Sequence, residues 1–179
     1  LGQQPPHTAP LQCPDVRRPG DARLGALNKG FLIRKQEQPR ERLRNPAPAV
    51  ATSEGALDLT VDYVLERTAF GQTVASFQNT RFTLADVKTE IAINRAYYEK
   101  CADAYSRDEL TAEDAAMLKY AATEMQCKTI DDCLQLFGGY GYTAEYPISR
   151  FYTDARIQRI YGGTSEIMRE LVARSILGR

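Results

Sequence analysis

Hydrophobic positions in this chain change their spacing near residue 49. From there to the end they recur every three or four residues, the interval that lines side chains up on one face of an α-helix. Five helices follow. The first runs from about Val50 to Arg67, with Leu57, Val61, Val64 and Leu65 along one face. The second starts near Phe77 and ends near Ser106; Asn94 interrupts its stripe of Leu84, Val87, Ile91, Tyr98, Cys101 and Tyr105. The third opens on the capping pattern Thr111-Ala112-Glu113-Asp114. It continues through Met117, Ala121, Met125, Ile130 and Leu134, and stops at Gly138-Gly139. A short helix covers roughly Ile148 to Gln158, and the last, Ser165 to Leu177, presents Ile167, Leu171, Val172 and Ile176.

Before residue 49 the pattern is different. Eight of the nine prolines fall there, the ninth being Pro147. Each removes a backbone donor and fixes φ, which predicts extended or irregular chain with a short helical turn around Lys29 to Arg34. Long helices joined by short turns pack as an antiparallel bundle. The expected fold is therefore all-α: an irregular Pro-rich segment over 1–48 followed by a helical-bundle domain over 49–179. Periodicity predicts this architecture and not an activity.

Composition narrows the classes. Lys plus Arg equals Asp plus Glu at 23 each, so no field of one sign points to nucleic acid or an anionic membrane. No run reaches the roughly 18 apolar residues of a membrane-spanning helix. The start, through Gln12, has neither an apolar signal core nor the basic amphipathic pattern of a transit peptide. Cys13, Cys101, Cys127 and Cys133 show no paired spacing, and the last three sit in helical patterns where free buried thiols and a reducing compartment are expected. The lone His7 lies in the Pro-rich tail, which leaves no basis for a histidine metal site or triad.

Three places could carry chemistry. Gly162-Gly163 turns the chain into a helix opening with Thr164, Ser165 and Glu166, so backbone donors and the positive helix end face outward. An ordinary helix start has the same residues, and Glu166 also serves as a first-turn carboxylate. Arg67 ends the first helix with a planar fork of donors suited to a pyrophosphate, or simply pairs with the helix dipole. Gln135 to Gly139 ends the third helix where glycines permit close backbone approach, or act only as a C-cap. Phe70 reads equally as a core aromatic and Gln78 as a surface amide, while Tyr140 and Tyr142 read as packing residues.

Taken together, five motifs resemble the C-terminal helical domain of the acyl-CoA dehydrogenases. They are Glu66-Arg67-Thr68-Ala69-Phe70-Gly71-Gln72, Phe77-Gln78, Gln135-Leu136-Phe137-Gly138-Gly139-Tyr140-Gly141-Tyr142, the run Glu145 to Arg156, and Ile160-Tyr161-Gly162-Gly163-Thr164-Ser165-Glu166-Ile167. The resemblance covers 50–179 and, in patches, roughly 11–43. It implies FAD as cofactor, an acyl-CoA substrate, electron-transferring flavoprotein as electron acceptor, and a homo-oligomer, dimer or tetramer. Arg67, Phe70, Gln78, Gln135, Leu136, Phe137, Gly138 and Gly139 would contact FAD, several of them on a neighbouring subunit. Thr164, Ser165 and Glu166 would meet it through hydroxyl and helix-end amides. Two preceding domains, one helical and one β, complete the flavin site in the family and are not among these 179 residues. The chain alone is therefore expected to be incomplete for catalysis. The family's compartments imply bacterial cytoplasm, or the mitochondrial matrix in a eukaryote.

The family reaction removes an α-proton from the thioester with a carboxylate while a hydride leaves the β-carbon. In most members that glutamate directly precedes the Gly-Thr of the last motif; here the position is Gly162. Branches resembling the long-chain and isovaleryl types take it from an Arg-Glu-Arg-Leu segment instead. Arg40-Glu41-Arg42-Leu43 matches, with Glu41 26 residues before Arg67. By resemblance Glu41 is the base, Arg42 orients substrate, and the backbone at Gly163 faces the thioester. Locally, Glu41 reads as a solvated charge in the run Gln36 to Arg44. Departures follow at once: Pro46 and Pro48 stand where relatives continue a helix, and an interior proline costs about 3 kcal/mol. Irregular chain here would leave Glu41 without fixed geometry. The rival expectation is a non-enzymatic assembly module derived from the family, lacking flavin.

Overall fold

The computed structural model describes residues 2–3 and 10–178; Pro5, Pro6 and His7 lie outside them. Among the described residues six α-helices make up the bundle: α1 (Gly30–Arg44), α2 (Pro46–Glu66), α3 (Gln78–Ser106), α4 (Ala112–Phe137), α5 (Pro147–Ala155) and α6 (Ser165–Leu177). A two-residue hairpin, β1 (Thr68–Ala69) with β2 (Gln72–Thr73), links α2 to α3 and pairs Thr68 with Thr73.

α4 is the hub, packing against α1, α2, α3, α5 and α6. Its ends follow from local chemistry. The Thr111 hydroxyl accepts the Asp114 amide at 2.9 Å, and Gly138 closes the helix at φ 58, ψ −138. That backbone region is essentially reserved for glycine. The main core joins Ala49, Val50, Ala56 and Leu57 of α2, Val87 and Ile91 of α3, Met125, Ile130 and Cys133 of α4, and Ile148 of α5. Asn94, the interruption in the α3 stripe, is buried and donates to the Glu90 carbonyl.

The Pro-rich segment is shorter than the prolines predict. Residues 10–29 are irregular apart from one 3-10 turn at Gly20–Ala22, but Gly30–Arg44 is helical and α2 begins at Pro46. Pro46 and Pro48 occupy the first turn of α2, where no helical carbonyl needs their missing N–H. Pro39 lies inside α1, and docking offsets its lost hydrogen bond. Leu43 is buried with Cys101 of α3 and Leu118 of α4. Asn45 keeps helical dihedrals between the two helices and donates its backbone N–H to the Glu41 carbonyl.

Four assignments to helix stripes also change. Leu65 of α2 and Tyr105 of α3 are solvent-exposed, and so are Ile167 and Ile176 of α6, whose buried residues are Ser165 and Met168. Periodicity finds a stripe, but the neighbours decide which edge of it is covered. The short helix ends at Ala155 and tightens into a 3-10 turn over Arg156–Arg159.

Candidate functional site

Two places on α4 gather the candidate residues, one against its middle and one at its C-terminal end. At its C-terminal end, Arg67, Gln135, Leu136, Phe137, Gly138 and Gly139 line a groove of about 560 Å³. Arg67 is the C-cap of α2, its amide bonded to the Tyr63 carbonyl at 2.8 Å, which leaves its exposed guanidinium over the groove. Tyr140 lies beneath that guanidinium, 5.1 Å from carbon to ring centroid, a cation–π contact. Tyr63 stacks on Phe137 at 4.1 Å and donates its hydroxyl to the Phe137 carbonyl. A Cβ added at Gly138 would meet no atom within 4 Å, so the helix end is open to close approach. The result is a cation, an aromatic wall and accessible backbone, a combination suited to a nucleotide.

Phe70 is not in the core and does not line this groove. It is 96% exposed on the hairpin, at φ 53, edge-on to Phe77. Gln78 is exposed as the first residue of α3 and does not line the groove. Tyr140 lines it, and Tyr142 is exposed, so neither is simply a packing residue.

The second place is the turn before α6. Thr164 caps the helix, its hydroxyl accepting the Ile167 amide at 3.4 Å. Glu166 is exposed, and its carboxyl is held below the usual range, first by its own backbone amide and then by the Thr164 hydroxyl. α4 grips the turn from behind. Glu124 receives Arg159 through two nitrogens, at 2.9 and 2.7 Å, and the Ser165 hydroxyl at 2.6 Å. The fully buried Lys119 donates to the Gly163 carbonyl at 2.6 Å.

α1 completes this second place. A Cβ built on Gly162 would lie 4.0 Å from Glu41 Oε1 and would overlap Asn45 Nδ2. Gly162 has φ 67, so glycine is required on both steric and dihedral grounds. Arg42 is buried; burial lowers its guanidinium from its ordinary value, with Glu41 opposing, and its terminal nitrogen donates to Gln38 at 3.3 Å. Arg42 Nε and Asn45 Nδ2 are buried donors without acceptors among the described residues. α1 and the Asn45 that follows it thus deliver a carboxylate and a free amide donor to the glycine turn.

The fold therefore brings Gly163, Thr164, Ser165 and Glu166, with Glu41 and Arg42 of α1, against the middle of α4, and Arg67 with Gln135–Gly139 to its C-terminal end. Sequence reasoning missed Lys119, Glu124, Asn45 and Tyr63. Lys119 had a visible signal: it sits in register with Ala115, Ala122 and Gln126, all of them buried. Among the described residues no cluster of His, Cys, Asp or Glu could hold a metal ion, and no helix is long and apolar enough to cross a membrane.

Comparison with known proteins bears on this geometry. A family model described as acyl-CoA dehydrogenase, C-terminal domain, matches residues 28–177. The long-chain specific acyl-CoA dehydrogenase, mitochondrial, of Sus scrofa is 47% identical over 177 residues, 99% of this chain and 41% of that protein. Acryloyl-CoA reductase (NADH) of Anaerotignum propionicum is 38% identical over 172 residues, 96% of this chain and 44% of that protein. Butyryl-CoA dehydrogenase from Megasphaera elsdenii superposes with a TM-score of 0.88 at 34% identity, covering 91% of this chain and 43% of that one. The chain spans less than half the length of the relatives it matches.

Proposed function

Because the chain belongs to the acyl-CoA dehydrogenase family, as its C-terminal domain, we propose that it supplies the helical wall of a site for FAD-dependent α,β-dehydrogenation of an acyl-CoA thioester. The observation that carries this reading is the position of Glu41. Its carboxylate stands beside Gly162, the place where a base carried by the turn itself would begin.

In this reading Glu41 takes the α-proton of the thioester, the electron pair left behind closes the α,β double bond, and a hydride departs from the β-carbon. FAD, when bound, supplies the acceptor for that hydride. Arg42 and the backbone at Gly163 hold the acyl thioester in place. Thr164, Ser165 and Glu166 offer hydroxyls and helix-end amides to the cofactor. Arg67, Phe70, Gln78 and Gln135–Gly139 contact FAD held by a second copy.

The need for a second copy has a structural basis. Eighteen residues of α4 separate Lys119, which grips the glycine turn, from Phe137 at the groove; at 1.5 Å per residue that is about 27 Å. Two sets of cofactor-suited residues set apart along one helix fit two cofactors shared between copies, hence a homodimer or a tetramer built from dimers. Electrons leave to electron-transferring flavoprotein, and the protein resides in bacterial cytoplasm, or in the mitochondrial matrix of a eukaryote.

The test is the flavin spectrum of the purified oligomer. Bound FAD that bleaches on addition of an acyl-CoA, with Glu41→Gln retaining flavin but not bleaching, is the expected result. A colourless oligomer would replace this reading with that of a non-enzymatic assembly module.

A further inference from the structure

Lys119 is charged, fully buried and outside the chemistry assigned above. It occupies a core register position of α4, beside Leu118 and one turn before Ala122 and Thr123, all buried. An ammonium there gives up its hydration, and an apolar side chain of equal length would fill the space at less cost. What it gains is one short bond, from Nζ to the Gly163 carbonyl. That peptide joins Gly163 to Thr164, at the entrance to α6. Peptide bonds among the described residues are trans. In a planar trans peptide the N–H points opposite to the C=O. With the Gly163 carbonyl turned inward to Lys119, the Thr164 N–H is turned away from it. No acceptor for that N–H occurs among the described residues.

We propose that Lys119 is a positioning residue for the Gly162–Ser165 turn: its buried ammonium, bonded to the Gly163 carbonyl, fixes the Gly163–Thr164 peptide and polarises the Thr164 N–H as a donor to an acceptor oxygen of the bound ligand. A carbonyl that accepts a charge-assisted bond makes the N–H of the same peptide a stronger donor. Glu124 acts from the same helix, holding Arg159 before the turn and Ser165 after it, so both flanks are fixed while the carbonyl is pinned. The charges and thiol facing Lys119 are Glu124 and Cys127 on α4, Arg42 on α1 and Glu166 on α6. Burial lowers the ammonium from its ordinary value, with Glu124 opposing. That the ligand is FAD rests on the proposed function; the Lys119 arrangement does not.

Isotope-labelled full chain tests it without any flavin. In wild type, a through-hydrogen-bond coupling between Lys119 Nζ and the Gly163 carbonyl carbon is expected, with slowly exchanging ammonium protons. Lys119→Met keeps an unbranched side chain, one atom shorter, and removes the donor. It should move the Thr164 amide proton upfield and leave the amides of α2 and α3 in place. A folded Lys119→Met chain whose Thr164 amide does not move would overturn the proposal. Should that variant fail to fold, wild type alone decides, because ammonium protons exchanging at the solvent rate with no coupling would overturn it equally. FAD binding by wild type tests the earlier reading separately, so the two can fail independently.

Discussion

Glu41 Oε1 lies 4.0 Å from the point where a Cβ on Gly162 would stand, although 121 residues separate the two in the chain. The carboxylate comes from α1 and the glycine from the turn before α6. If Glu41 is the base, Glu41→Gln should abolish reductive bleaching of bound flavin by acyl-CoA with little change in stability, because the side chain is exposed. Stopped-flow absorbance of the flavin band decides it, and a variant that still bleached would end the assignment.

Gly162 should resist every side chain. Alanine there meets Asn45 Nδ2 and adopts a φ of 67, so Gly162→Ala is expected to cost about 1–3 kcal/mol. Adding Asn45→Ala should recover the steric part and leave the dihedral cost, which is roughly 1 kcal/mol. Urea denaturation of the two variants separates these contributions.

Glu124 is the anchor for both flanks of that turn. Glu124→Ala leaves Arg159 and Ser165 without their acceptor, a loss of about 1–3 kcal/mol. Hydrogen exchange should then accelerate at Ser165 to Met168 sooner than in α2 or α3. Uniform acceleration through the bundle would contradict a local anchoring role.

Arg67 is exposed, so Arg67→Ala should stay within about 0.5 kcal/mol of wild-type stability while weakening FAD binding by the oligomer. Lysine should restore little, because a point charge cannot reproduce the planar fork over Tyr140. Fluorescence titration with FAD measures both variants.

Alkaline pH should destabilise the α3–α4 contact through Tyr97. Burial raises its phenol above the ordinary value of 10.0, with Cys101 and Asp114 adding to the shift. Above pH 10 the unfolded chain releases this proton and the native chain retains it, so stability falls as pH rises. Tyr97→Phe should flatten the decline in urea midpoint between pH 9 and 11, and an unchanged slope would contradict the assignment.

Much of the scaffold was legible locally. Thr111 and Asp114 announce the start of α4, Gly138 its end, and the three-four spacing of Val87, Ile91 and Cys101 the inward face of α3. These signals are legible because capping and periodicity involve residues within a turn or two of each other. The helicity of Gly30–Arg44 was not. Pro39 and its neighbours argue against a helix, and tertiary packing, with Leu43 docked on Cys101 and Leu118, reverses that balance. Likewise the periodic Ile167 and Ile176 are exposed in this chain, because no described element covers them.

By itself the sequence determined the helical class, most helix ends and, through its motifs, the family and the residues proposed to meet a nucleotide. Tertiary structure decided which of them meet. It seated Glu41 beside Gly162, set Arg67 over Tyr140, and buried Lys119 under the Gly163 carbonyl, 44 residues away. Local rules act over one or two turns of helix, whereas these contacts exist only once packing on α4 has brought distant segments together.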